Sequence, residues 1–191
     1  MALVIKGSSS GQVTVDVPAA AGTNTLTLPA GTGNIITNTT AGTTLQTVSS
    51  ILQSEASSTV HLPFDNTIPQ NGEGAEFTTA AITASNASNK FHVSVFAQVS
   101  SNGNTGRVIV ALFQDSVANA LACGATQVSN SGGMITIAFD YIAAAGDTSE
   151  HTFKMRYGRP DATTAYVNRT GSDLDLGNKI SSGIIIREIA V

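Results

Sequence analysis

The chain has 191 residues, 41% of them hydrophobic and only 12% charged, with a net charge of −4. That balance supports a buried core and argues against disorder, which combines low hydrophobicity with high net charge. It also argues against nucleic-acid binding, because no Lys/Arg cluster is present to neutralise phosphates. The single cysteine, Cys123, rules out an internal disulfide and a cysteine-built zinc site. No segment reaches the ~18 apolar residues of a membrane span, so membrane insertion is not expected. The start, MALVIKGSSS, lacks the long apolar stretch of a secretory signal.

Residues 1–38 read as four short strands: LVI (Leu3–Ile5), QVTVDV (Gln12–Val17), TLTLP (Thr25–Pro29) and NIIT (Asn34–Thr37). The separators GSSSG, PAAAGTN and AGTG are turn formers. Strands this short enclose little core. The segment therefore predicts an extended β arm that needs a partner surface, with Val13, Val15, Val17, Leu26 and Leu28 as its candidate contact residues.

Residues 39–59 form the linker. Leu45, Val48, Ile51 and Leu52 fall at helical spacing, and Thr43 or Thr44 supplies a cap, so a short helix is expected. An isolated helix under about 12–15 residues is marginal. Either a symmetric bundle of these helices buries Leu45, Val48 and Leu52, or the helix lies on its own domain.

Residues 60–191 alternate β patterns with Gly, Ser, Asn and Asp turns. The expected strands are Ala75–Thr83, Lys90–Ser100, Gly106–Gln114, Leu121–Cys123, Gly133–Ala143, His151–Tyr157, Ala165–Asn168 and Gly183–Val191. In Phe91–Val99 the residues Phe91, Val93, Val95, Ala97 and Val99 face one way, which leaves His92 on the other. About eight strands with no long helix between them predict an all-β jelly-roll sandwich. In the last strand Ile184, Ile185 and Ile186 are consecutive, so both faces of the strand carry apolar side chains. One face serves the core. The other meets either a neighbouring subunit or a loop of the same chain.

No residue set reads as catalytic, and no cofactor is expected. His61, His92 and His151 lie far apart and in no metal-binding spacing. Asp65, Glu73 and Glu76 cluster loosely, and Asp173 and Asp175 in SDLDLG suit a solvated turn better than a Ca²⁺ loop. A GxSxG motif is absent, and GEG and SGG are turns. The three N-glycosylation patterns, at Asn38, Asn86 and Asn168, are chance matches in an Asn/Thr-rich chain. Among the few aromatic residues, Tyr166, with Asn168 and Arg169 beside it, is the best exposed candidate for a receptor or glycan contact. The plainer reading makes Tyr166 a rim residue without a ligand.

DNTIPQNGEGAEF (Asp65–Phe77), ALFQD (Ala111–Asp115), AGDTSEHTFKMRYG (Ala145–Gly158) and SSGIIIREIAV (Ser181–Val191) resemble a family of tailed-bacteriophage virion proteins. Those proteins carry a C-terminal jelly roll similar to tumour-necrosis-factor-like domains. GSSSGQVTVDVPAAAGTNTLTLPAGTG (Gly7–Gly33) resembles a recurrent phage element found ahead of such domains. The resemblance implies a homotrimer, with Leu45, Val48, Leu52, Ile184, Ile185 and Ile186 as candidate interface residues. It implies a non-enzymatic capsid decoration, cement or head-fibre protein, made in the host cytoplasm and carried on the virion, on the capsid surface rather than the tail. Its partners would be its own copies and the major capsid protein or other virion proteins. The alternative is a short tail fibre or receptor-binding tip that recognises a host surface glycan. A small carbohydrate-active enzyme is the weakest reading.

Overall fold

The computed structural model describes residues 3–6, 12–15, 40–102, 105–128, 133–161, 163–170 and 175–191. The chain divides into two compact units, Met1–Ile35 and Ile36–Val191. In the first, β1 (Leu3–Lys6) pairs antiparallel with β2 (Gln12–Val15), which sets Val13 opposite Ile5 and Val15 opposite Leu3. The expected strands Thr25–Pro29 and Asn34–Thr37 lie outside the described residues, as do Val17, Leu26 and Leu28.

The second unit holds β3 (Thr44–Leu52), β4 (Ala56–Ser58), β5 (Ala75–Thr83), β6 (Lys90–Ser101), β7 (Gly106–Gln114), β8 (Ala122–Val128), β9 (Ile135–Ala144), β10 (Glu150–Gly158), β11 (Ala165–Val167) and β12 (Ser182–Ile189). One sheet runs β5-β10-β7-β8. The other runs β3-β12-β6, with β9 on the far side of β6 and the short β11 and β4 continuing past β12 and β3. This is an all-β, two-sheet jelly-roll sandwich.

The strands form where β-branched and apolar residues alternate with polar ones. Phe91, Val93, Val95, Ala97 and Val99 all point into the core, as the alternation predicts. They meet Phe153, Met155 and Tyr157 of β10 and Val108, Val110 and Leu112 of β7. Phe91 and Phe153 touch edge to face, 5.9 Å between centroids. At one edge of the sandwich the Ser50 and Thr78 hydroxyls share a hydrogen bond of 2.6 Å between β3 and β5. At the other edge β8 closes on β9. A Cβ on Gly124 would sit 2.7 Å from Ile137 Cγ2, so the approach requires glycine there.

The expected linker helix is instead strands β3 and β4. The segment is rich in Thr, Ser, Val and Ile, which lose side-chain freedom or compete for backbone bonds in a helix. Strand β12 has an open edge beside β6, and β3 fills it from Leu52 opposite Ser182 to Thr44 opposite Ile189. Beyond that register Gly42 N donates to Ala190 O at 2.8 Å and Ala190 N to Thr43 O at 2.9 Å. Val48 packs on the core, and Leu52 shares its side of β3. Leu45 is the extra residue of a β-bulge, between Thr44 opposite Ile189 and Gln46 opposite Glu188, so the alternation is broken there.

Candidate functional site

The feature of the second unit that folding leaves unexplained is the outer face of the six-stranded sheet. Strand register maps it row by row. Ala138, Phe96, Gly183 and Ile51 lie side by side across β9, β6, β12 and β3. The next row is Asp140, Ser94, Ile185 and Ser49. The row beyond is Ile142, His92, Arg187 and Thr47. Ile51 is 46% exposed and Ile142 54% exposed. Phe96 and Ile185 are half-buried by their neighbours alone.

The three consecutive isoleucines divide as their alternation requires. Ile184 and Ile186 are fully buried in the core. Ile185 faces outward between Ser49 and Ser94. No loop of the described chain is hydrogen-bonded across this face. Within it Asp140 Oδ1 accepts from Ser94 Oγ at 2.6 Å and lies 3.1 Å from His92 Nε2. The Ser94 hydrogen bond does most to hold the Asp140 carboxyl below its usual range, against the opposing effect of burial, and His92 and Arg187 add to it.

The residues proposed for receptor contact take structural places. Tyr166 is only 7% exposed, so it is not the exposed residue that the sequence suggested. The reason is that β11 is wedged between β6 and β4. Asn168, buried and with a left-handed φ of 60°, donates to Leu52 O at 2.9 Å and Ser54 O at 3.0 Å. It accepts from Ser182 Oγ at 2.6 Å. Asn168 thus ties three chain segments together. Arg169 pairs with Glu55 at 3.2 Å and lies over the Tyr166 ring at 4.9 Å. Asp173 lies outside the described residues, and Asp175 begins a short 3₁₀ turn to Asn178.

The histidines are held separately. His61 Nε2 lies 3.0 Å from Pro160 O. His151 sits between two carboxylates, with Nδ1 3.0 Å from Asp115 Oδ2 and Nε2 3.3 Å from Asp147 Oδ1. The Asp115 hydrogen bond is the chief cause that raises its pKa, against the opposing effect of burial.

Sequence reasoning also missed a buried carboxylate. Glu188 is fully enclosed and accepts from Asn89 Nδ2 (2.6 Å), Gln46 Nε2 (2.6 Å), Ser85 N (2.7 Å) and Ser85 Oγ (2.8 Å). Its signal was present: Glu188 falls at the inward spacing set by Ile184 and Ile186.

No protein-family model matches the chain, and no curated protein matches it. Among solved structures it is similar to the CBM22-1 xylan-binding domain of Paenibacillus barcinonensis Xyn10C (11% identity, 79% of this chain and 97% of that one, TM-score 0.36). It is similar to the EclA C-terminal domain, a sugar-binding protein (13%, 77% and 88%, TM-score 0.35). A third is the CBM36-1 domain of a multidomain xylanase from the hindgut metagenome of Trinervitermes trinervoides (12%, 72% and 95%, TM-score 0.33).

Proposed function

We propose that the chain is a non-enzymatic bacteriophage virion protein. In this reading it is a homotrimeric capsid decoration or head-fibre protein that attaches through its N-terminal arm and displays the jelly roll. The observation that carries the reading is the outward apolar row Ala138, Phe96 and Ile51, with Ile185 in the adjacent row. A sheet face with large apolar groups in contiguous rows marks an interaction surface. Its occupant is a second copy of the chain. Closed rings of identical subunits bury one such face per protomer, and three copies satisfy all of them.

The sequence resemblance to phage virion proteins supplies the setting. Threefold display gives an attached trimer three arms, and three weak attachments multiply through avidity. An arm with paired strands can add to an exposed sheet edge on a neighbouring virion protein through backbone hydrogen bonds. Val13 and Val15, together with Val17, Leu26 and Leu28, are the arm side chains assigned to that contact.

Sedimentation and electron microscopy test the reading together. The full chain is expected to sediment as a trimer. Labelled protein is expected on the capsid surface of intact particles, and deletion of residues 1–38 to abolish the attachment while leaving the trimer. A monomer at micromolar concentration rules out the assembly. Undiminished particle binding by the truncated chain rules out the arm.

A further inference from the structure

On the opposite side of the sandwich, the segment from Leu62 to Gly74 arches over the outer face of β7 and β8. It is firmly pinned. Leu62 N donates to Arg159 O at 2.9 Å, Asn71 N to Ala118 O at 2.7 Å and Ala120 N to Pro69 O at 2.9 Å. Leu62 itself is fully buried against Ile109, Ala111 and Phe113. Inside the arch Thr67 N and Oγ1 both donate to Asp65 Oδ1, and Pro63 and Pro69 bracket the turn. Yet this rigid loop holds Phe64 51% exposed. Folding gains little from an aromatic ring kept in water on a fixed loop.

Beneath the loop lies a groove of about 280 Å³. Its floor is made of small side chains, Cys123 and Ala125 of β8, beside Ile109. Phe64 forms one wall, and Asp65 and Thr67 add polar groups. The Arg107 guanidinium lies 4.2 Å from the Phe64 ring centroid and fixes the ring by one face. Among the described residues Asp65 Oδ2 accepts no hydrogen bond, so a free acceptor lines the groove beside the ring.

We propose that this groove binds a single pyranose ring of a neutral glycan. The volume lies just below the usual range for small-molecule sites, about 300–1,000 Å³, which suits one ring and excludes a long polymer. A pyranose has one face of C–H groups, which lies against the negative face of an aromatic ring. Its rim of hydroxyls both donates and accepts, which matches the Asp65 carboxylate and the Thr67 hydroxyl. The groove is formed before binding, so little ordering entropy opposes the ligand. The site lies on the sheet facing away from the assembly surface and does not depend on that surface.

The test uses the full chain and four methyl pyranosides, those of glucose, galactose, mannose and xylose. Cys123 is the only thiol in the chain and is exposed in the groove, so its alkylation by iodoacetamide reports occupancy. One of the sugars is expected to give saturation-transfer signals and to slow alkylation about tenfold when present at roughly ten times its Kd. Phe64→Ala is expected to lose both effects, and Ala125→Trp, which fills the groove from an exposed position, to lose the saturation transfer. Phe64→Tyr keeps both. If none of the four sugars slows alkylation, or if binding survives in both Phe64→Ala and Ala125→Trp, the proposal is overturned.

Discussion

The Asn89 side-chain amide donates to the Glu188 carboxylate at 2.6 Å, and both side chains are shut away from water. This carboxylate fastens the turn between β5 and β6 to the last strand. Glu188→Ala leaves the Asn89, Gln46 and Ser85 donors without their acceptor. It is expected to destabilise the fold by about 3–5 kcal/mol, read as a shift in the denaturation midpoint.

The same group sets a dependence on acid. Burial pushes the Glu188 pKa up, but the hydrogen bonds from Asn89, Gln46 and Ser85 outweigh it and hold the pKa below its usual value. Its contribution is therefore complete above the ordinary glutamate range of about 4–4.5 and is lost as pH falls through the lowered value. Thermal melts from pH 6 down to pH 3 are expected to fall less steeply for Glu188→Gln than for the native chain.

His151 works in the opposite direction. Its pKa is raised, first by the hydrogen bond to Asp115, then against burial by the charges of Asp115 and Asp147. The stabilisation is complete below the ordinary histidine value of about 6.5 and fades as pH rises through the raised one. Asp115→Asn, which tolerates the left-handed φ of 52° at that position, should remove about 1 kcal/mol at pH 6 and much less at pH 9. An equal loss at both pH values would show that the pair carries no charge effect.

On the proposed trimer, neighbouring isoleucines separate folding from assembly. Ile184→Asp puts a carboxylate into the core, where an unpaired charge costs several kcal/mol, and is expected to give unfolded chain. Ile185→Asp points outward between Ser49 and Ser94 and is expected to leave native circular dichroism with a monomeric mass. An Ile185→Asp chain that still forms trimers would remove Ile185 from the interface.

At Gly183 the backbone of β3 leaves no room for a side chain on β12. A Cβ there would meet Ser50 O at 2.3 Å and Ile51 Cα at 2.8 Å, both backbone atoms that cannot move aside singly. Gly183→Ala is expected to cost about 3 kcal/mol in chemical denaturation. It should also disturb the row that holds Phe96 and Ile51.

Most strands from Ala75 onward were legible: Ala75–Thr83 and Gly106–Gln114 begin and end as expected, the first alternating with one bulge and the second a continuous apolar run, whereas Ala122–Val128 extends well beyond the expected Leu121–Cys123. Thr44–Leu52 was misread because Leu45, Val48 and Leu52 satisfy a helical stripe by spacing alone. The pairing that decides its state lies more than 130 residues away, on Ser182–Ile189. The outward direction of Ile185 was readable from the run of three isoleucines. The enclosure of Tyr166 was not, because it depends on β4, a strand of three residues with no apolar pattern. Phe64 gave no periodic signal either, since loops position side chains through turns and distant hydrogen bonds.

The hydrogen bonds between Gly42 and Ala190 and between Ala190 and Thr43 bring the entry and exit of the sandwich side by side. A short Gly-Ser bridge from Val191 to Gly42 would therefore join them without threading a strand. New ends could open at the exposed turn Ser116–Ala118 between β7 and β8. Such a circular permutant of residues 42–191 would keep every strand pairing of the second unit and would present fused cargo at the turn between β7 and β8.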